Sequence, residues 1–516
     1  MIRDFKNESP VDFTKETNYK IMIDALEKNK DEFGTEYPLI IDGKSHKSNE
    51  TITSINPSQF DQVIGRVHAA DESQAEMALQ AALNAFMQWK NVSAGFRARC
   101  LFKAAGIMRR RKAELTALIV LENGKNWTEA YGDVAEAIDF LDFYAINALK
   151  LSDRQSLQRL SGEDNELYYI PLGVGVVIAP WNFPLAILTG MTAGPMVMGN
   201  TIIMKPSSNT PVIAYKLMEI FQDAGVPRGV VNLVFGHGNI VGKYLVSHPK
   251  TRFINFTGSR EQGLKIVEEG SKTREGQKWI KRVSAEMGGK NAIIVDSEAD
   301  LDAAVDGIFA SAFGFQGQKC SACSRAIIDK SVYEYVTDKL LEKVKSISIG
   351  PAESYDNFMG PLIDQDALDK VLNYIEIGKE EGTLLYGGKK IEKGGFYLEP
   401  TIFTDIESHN RLAQEEIFGP VLALMRTDNF DHALEIANNT EYGLTGAVYS
   451  GSREKLEKAR YEFHVGNLYF NRTCTAALVG AHPFGGYNMS GTCAKAGSKD
   501  YLRLFSQAKA VSERIN

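Results

Sequence analysis

The sequence predicts an α/β protein with two parallel-sheet units, and three observations predict it. First, 516 residues exceed what one ordinary core fills, so two or three structural units are expected. Second, continuous apolar runs rich in Val and Ile recur from about residue 173: "GVGVVIAP" (173–180), "TIIMK" (201–205), "VVNLVFG" (230–236) and "FINFTG" (253–258). Third, helical segments at 186–199, 210–224 and 239–247 separate these runs. Buried strands alternating with helices imply parallel crossovers with both sheet faces covered.

The elements follow in order. Residues 37–71 are punctuated by Asp-Gly, Asn-Pro and Ser, and read as an arm of small strands. Residues 72–90 place Met77, Ala81, Leu83 and Phe86 on a helical period, with Asp71 as cap. Two more helices are expected around 95–123 and 128–149. After the first set of buried strands the alternation resumes at "NAIIVD" (291–296) and continues through a long helix to Cys320. It then runs through strand 324–330, helices 331–347 and 365–381, strand 419–426, helix 429–439, strand 445–450, helix 452–463 and strand 465–471. The junction between units falls near 280–290. Residues 154–173 read as a β-hairpin turning at Gly162-Glu163-Asp164, and 501–515 as an edge strand. Uncovered strands pair with something, either a partner subunit or this same chain.

Composition narrows the function. The net charge of −7 gives no electrostatic footprint for nucleic acid. No segment reaches the roughly 20 apolar residues that span a bilayer, so no membrane role is expected. The polar N-terminus does not resemble a secretory signal. Five cysteines in so long a chain make no disulfide framework, and a reducing, cytoplasmic compartment is expected.

Two cysteines, Cys320 and Cys323, form a C-x-x-C in "FGFQGQKCSACSRAII" (313–328). A structural zinc site needs a second close pair, and Cys100, Cys474 and Cys493 supply none, so no metal is expected. A thioredoxin-like pair opens a helix, whereas this one follows a helix and precedes a strand. The third option is one nucleophile, Cys320, on a glycine-rich turn, with Cys323 a buried neighbour. A thiol of ordinary pKa, about 8.5, needs a base or a favourable field. Glu286, in "SAEMGGKNA", stands beside two glycines at a strand entrance and is a candidate base. In "IAPWNFPLAI" two prolines fix a turn whose Asn182 amide can donate to a developing oxyanion. "FINFTGSREQG" and "VFGHGNIVG" are glycine turns of the kind that receive a diphosphate. Lys205 ends a parallel strand, where open α/β sheets bind ligands. Glu416 and Phe418 precede another strand.

Taken in order, "PWNFP", "KPSS", "FTGS", "EMGGKN", "GQKCS", "EEIFGPV" and "PFGG" resemble the NAD(P)-dependent aldehyde dehydrogenase superfamily over nearly the whole chain. The resemblance implies that family's fold: two Rossmann-like parallel-sheet α/β domains plus a small β oligomerisation element. The implied division is 1–153 with 174–285 for NAD binding, 286–486 for catalysis, and 154–173 with 487–516 for oligomerisation as a dimer or an assembly of dimers. Cys320 would attack the aldehyde, Asn182 and the Cys320 N–H would hold the oxyanion, and Glu286 would activate the hydrolytic water. Lys205, Ser208, Trp181, Thr257, Gly258, Ser259, Gly263, Glu416 and Phe418 would line the cofactor site. "GHGNIVG" becomes a structural turn near the adenine end. NAD is the expected cofactor. Many NAD-preferring members carry Glu where this chain has Ser208, so NADP stays open.

"NRTCTAALVGAHPFGGYNMSGT" and "DVAEAIDFLDFYA" are similar to the branch acting on L-glutamate γ-semialdehyde. That branch holds the substrate's α-carboxylate on a small-residue loop, here Ala476 and Ala477, together with Ser321. Phe183 and Phe484 would flank the aliphatic chain, and Glu136 matches a carboxylate of the branch motif, serving as a substrate contact or in a structural salt bridge. The branch usually has Gly at Ala476; if the position needs a positive φ, Ala is strained there. Other semialdehydes or simple aliphatic aldehydes are the alternative substrates. A non-catalytic relative is expected to lack at least one of Cys320, Glu286 and Asn182.

Overall fold

The computed structural model describes residues 4–153, 155 and 157–515. Two seven-stranded sheets organise the chain. The first runs, in spatial order, Arg282–Glu286, Phe253–Thr257, Val174–Ile178, Thr201–Lys205, Val231–Leu233, Leu39–Ile41 and Lys44–His46. Its first five strands are parallel, and Leu39–Ile41 and Lys44–His46 close the far edge antiparallel. The second runs Thr383–Tyr386, Thr401–Thr404, Val421–Thr427, Cys323–Asp329, Asn291–Val295, Thr445–Tyr449 and Asn467–Phe470. All its pairings are parallel except that of the edge strand Thr383–Tyr386.

The unbroken apolar runs have the cause expected of them. In Asn291–Val295, Ala292 and Ile294 enter one core cluster while Ile293 and Val295 enter another on the opposite face. A strand covered on both sides cannot alternate with polar residues.

Three elements differ from expectation. The segment 95–123 is two helices, Ala94–Arg110 and Lys112–Asn123, broken at Arg111. Helix Glu72–Trp89 carries the expected Asp71 cap, a capping box with Gln74, but turns another face inward. Ala75, Ala78, Leu79, Ala82 and Trp89 are buried, while Met77 is 42 % exposed. Small residues let this helix approach closely, so size misled the reading of its face. The strand Arg282–Glu286 was not foreseen. Of the expected hairpin at 154–173, Arg154 and Ser156 lie outside the described residues, and Gln155 makes an antiparallel bridge to Leu167. The strand Glu163–Pro171 also pairs with the C-terminal strand Ser506–Arg514 of the same chain, along nine residue pairs.

Candidate active site

The strand ends of the first sheet assemble one wall of a cleft. Ile178 leads into Pro180-Trp181-Asn182, Lys205 and Thr257 end their strands, and Glu286 ends the edge strand in register with Thr257. Ligands of open parallel sheets bind at carboxyl ends of this kind. The second sheet supplies the opposite wall from the turn before Cys323–Asp329.

That turn is unusual. Phe315, Gln316 and Gly317 have φ of 48°, 55° and 67°, three consecutive left-handed residues. Such backbone costs free energy unless its surroundings fix it. Here the half-buried Glu129 carboxylate accepts from the Phe315 N–H at 2.7 Å. The Gln316 amide donates to the Gly124 and Pro361 carbonyls at 3.2 and 2.7 Å. The chain then delivers Cys320, partly exposed, into the cleft, and Cys323 into a closed core beside Cys474. The C-x-x-C spacing thus sends its two thiols to different environments, and all five cysteines are free. Among the described residues, no group of three or more His, Cys, Asp or Glu could hold a metal.

Burial pushes the Cys320 thiol up to about 12, with the nearby Glu416 and Glu286 carboxylates adding to it. The resting thiol is therefore protonated and needs a base. Burial also pushes Glu286 up, to about 7, against the pull of two backbone donors. Those donors are the Gly486 and Ala494 N–H groups, each at 2.8 Å. The glycines of "PFGGYNMSG" are explained by this cradle: a Cβ on Gly491 would lie 2.8 Å from Glu286 Oε2. A second close approach explains "EMGG". A Cβ on Gly288 would stand 2.1 Å from Glu416 Oε2, and the Gly289 N–H donates to Glu416 Oε1 at 3.0 Å.

Asn182 is buried and donates to the Gln318 carbonyl at 3.1 Å, two residues before the nucleophile. It lines a cavity of about 300 Å³ with Cys320, Trp181, Thr257, Gly258, Ser259, Glu416 and Phe418. A neighbouring cleft of about 970 Å³ is lined by Lys205, Ser208, Thr257, Gly258 and Ser259, and by Gly238 and Gly242 of the other glycine turn. Lys205 is buried and, among the described residues, meets only its neighbour's carbonyl, Pro206, at 3.4 Å; burial pushes its ammonium down to about 8. A buried, under-partnered cation facing a long cleft suits an anionic or hydroxyl-rich ligand. Ser259 caps helix Arg260–Ser271, whose free N–H end favours phosphate. Gly263, in the first turn of the same helix, is buried against Met287, whose Sδ would lie 2.4 Å from an added Cβ.

On the other side of Cys320 lies a cavity of about 150 Å³, lined by Glu136, Phe183, Glu286, Ser321, Ala476, Ala477 and Phe484. Ala476 has φ of 61°, so the strain foreseen for a non-glycine residue is present. Arg472 holds the loop in that shape, donating to the Thr475 and Ala476 carbonyls at 2.9 and 3.0 Å. Burial, with the charge of Asp133 adding to it, pushes Glu136 up to about 8.

Sequence reasoning missed Lys125. It is fully buried, pairs with Asp133 at 2.7 Å, and stands 3.7 Å from the centre of the Phe183 ring and 4.7 Å from that of Phe315. A signal was available. "NGKN" holds a lysine between a left-handed helix stop, Gly124, and a helix cap, Asn126. A residue pinned between two helix ends cannot swing to solvent.

Two parallel sheets facing each other across a cysteine, with a cradled carboxylate beside it, define a class that comparison identifies. The aldehyde dehydrogenase family profile matches residues 44–511, and the chain belongs to that family. It is 55 % identical to the 1-pyrroline-5-carboxylate dehydrogenase of Geobacillus sp. strain WCH70 over 513 residues, covering 99 % of this chain and 100 % of the relative. Among solved structures it is similar to 1-pyrroline-5-carboxylate dehydrogenase from Thermus with bound NAD, with a TM-score of 0.98, 52 % identity and full coverage of both chains. A more distant likeness is betaine aldehyde dehydrogenase from Staphylococcus aureus in complex with NAD+, with a TM-score of 0.90 and 28 % identity, covering 96 % of this chain and 98 % of that one.

Proposed function

We propose that this protein is an NAD-dependent dehydrogenase that oxidises L-glutamate γ-semialdehyde, the open form of 1-pyrroline-5-carboxylate, to L-glutamate. The observation that carries the reading is the 150 Å³ cavity at Cys320, lined both by the apolar Phe183 and Phe484 and by the polar Ser321 and Glu136. Phe183 and Phe484 face the aliphatic chain. Ser321 and the N–H groups of Ala476 and Ala477 receive the α-carboxylate, and Glu136 lines the same cavity. The likeness to the Geobacillus and Thermus proteins supports the same substrate.

The chain's own residues perform the following chemistry. As the Cys320 thiol loses its proton to a base, its sulfur bonds to the aldehyde carbon and the carbonyl electron pair moves to oxygen. The Asn182 amide, which spends one N–H on Gln318, has the other for that oxyanion, beside the Cys320 N–H. When bound in the cleft of Lys205, Ser208, Ser259, Glu416 and Phe418, a nicotinamide dinucleotide supplies the hydride acceptor. The carbon is left as a thioester on Cys320. Glu286 then takes one proton from water, whose oxygen bonds to that carbon; the carbon–sulfur bond breaks with its electron pair leaving on sulfur, and the product acid gives its proton to the thiolate, leaving the carboxylate.

The first unit, residues 1–153 with 174–285, holds the nucleotide, and 286–486 carries the nucleophile. Segments 154–173 and 487–516 serve assembly as a dimer or a set of dimers, the latter also lending the Ala494 N–H to Glu286; the exposed ribbon of Ser506–Arg514 supports assembly. Five free cysteines support a reducing, cytoplasmic setting. Among the described residues no helix is long and apolar enough to cross a membrane.

The test is NADH formation from pyrroline-5-carboxylate beside succinate semialdehyde and propanal. A higher kcat/KM for the first is expected. Preference for either of the others would overturn the substrate.

A further inference from the structure

The loop of Ala476 and Ala477 is held at both ends by groups distant in sequence. Arg472 grips its start, as described. Its far end meets the N-terminal arm. Asn7 Nδ2 donates to the Val479 carbonyl at 3.0 Å and to Asp139 Oδ2 at 2.8 Å. The neighbouring Glu8 N–H donates to Asp139 Oδ1 at 2.7 Å, so one carboxylate fixes two successive arm residues.

The arm is itself anchored. The Glu8 carboxylate receives Arg109 at 2.7 Å and Lys112 at 3.1 Å, and the Tyr131 hydroxyl donates to the Ser9 carbonyl at 2.7 Å. The Phe5 ring meets Phe143 edge-on at 5.1 Å, and both crowd Gly480, where an added Cβ would lie 3.1 and 2.9 Å from them. Asp139 belongs to the long helix Trp127–Leu151, one turn beyond Glu136, which lines the cavity. The arm therefore locks the loop to the helix that forms the cavity's other wall.

We propose that Asn7 is a positioning residue for the carboxylated substrate: through the Val479 carbonyl it sets the N–H groups of Ala476 and Ala477 against the cavity. The inference rests on the reading of that loop as the carboxylate holder. Val479 is buried and three residues from Ala476, so a shift at its carbonyl is passed along a short stretch of backbone. Among the described residues, Cys320, Asn182 and Glu286 have no hydrogen bond to the arm, so the effect falls on substrate binding and not on the chemical steps.

The experiment uses Asn7→Ala and Asn7→Leu in the full chain, the second keeping the volume while removing both donors. Loss of two hydrogen bonds is expected to raise KM for pyrroline-5-carboxylate about tenfold. The kcat should stay within about a factor of two, and kcat/KM for propanal, which has no carboxylate, should not move. Equal losses on both substrates, an unchanged KM, or failure of both variants to fold would overturn the proposal in favour of a purely structural arm. A wild-type enzyme indifferent to the carboxylate overturns the carboxylate reading and this proposal with it. A wild-type preference that both variants retain overturns this proposal alone.

Discussion

Ala476→Gly tests whether the backbone strain at the cavity matters for binding. At φ of 61° an L-residue bears a left-handed penalty of roughly 1–2 kcal/mol, which glycine does not. Glycine in turn loses about 0.4–1 kcal/mol more chain entropy on folding. The net gain for the cavity-forming loop shape is therefore on the order of 0.5–1 kcal/mol. Ala476 is exposed and the Arg472 fork is only partly buried, so the loop can relax locally without unfolding the sheets. Relaxed states do not present the two N–H groups together, and the apparent affinity falls by the fraction they occupy. Glycine should then lower KM for pyrroline-5-carboxylate by about twofold to fivefold, with kcat nearly unchanged. Steady-state NADH formation measures this, with propanal as the control that does not touch the loop. Ala476→Val should move KM the opposite way, because a branched side chain tolerates positive φ least. A rise in KM for the glycine variant, or equal changes with propanal, would refute the link between strain, N–H placement and carboxylate binding.

Cys320→Ala should abolish turnover while NAD binding, followed by cofactor fluorescence, persists. Cys323→Ala should stay active, because its thiol lies in a closed core away from the cleft; equal inactivity of the two would end the single-nucleophile reading. Glu286→Gln should slow thioester hydrolysis by about 10²–10⁴-fold while a single-turnover burst of NADH survives. The sign of the pH dependence follows from Glu286, whose pKa is pushed up to about 7. The carboxylate is the working form, so activity should fall about tenfold per unit as pH drops below that value and level off above it. The glutamine variant should lose that acidic limb, and its retention would assign the limb to another group.

Most strands were legible because burial on both faces leaves nothing but apolar residues. Thr201–Lys205 and its neighbours announce themselves, and their carboxyl ends then place Lys205, Thr257 and Asn182 together. Arg282–Glu286 was not legible because it is an edge strand: only Ser284 and Ala285 are buried, too few to show a period. The position of Glu286 therefore rested on its glycine neighbours instead of its strand. Helix faces failed for a related reason. Close packing favours Ala75, Ala78 and Ala82, whereas a search for large apolar residues finds Met77 on the outside.

The site was legible in its residues but not in its couplings. A glycine motif in the sequence says only that a side chain would not fit. Gly288 makes room for Glu416, 128 positions away, and Gly491 for Glu286, 205 positions away. The same holds for charge. The helix stop and cap beside Lys125 do not say that Asp133 and two aromatic rings close around it, and Asn7 reads as part of a polar tail until Val479 is folded beneath it. Long-range pairings of this kind have no local period or propensity to betray them. They are also where this chain can differ from its relatives without touching Cys320. Differences in substrate preference within this fold should therefore arise first at such second partners, the loop around Ala476 and the arm that holds it, while the nucleophile turn stays fixed by the strained backbone that Glu129 and Gln316 secure.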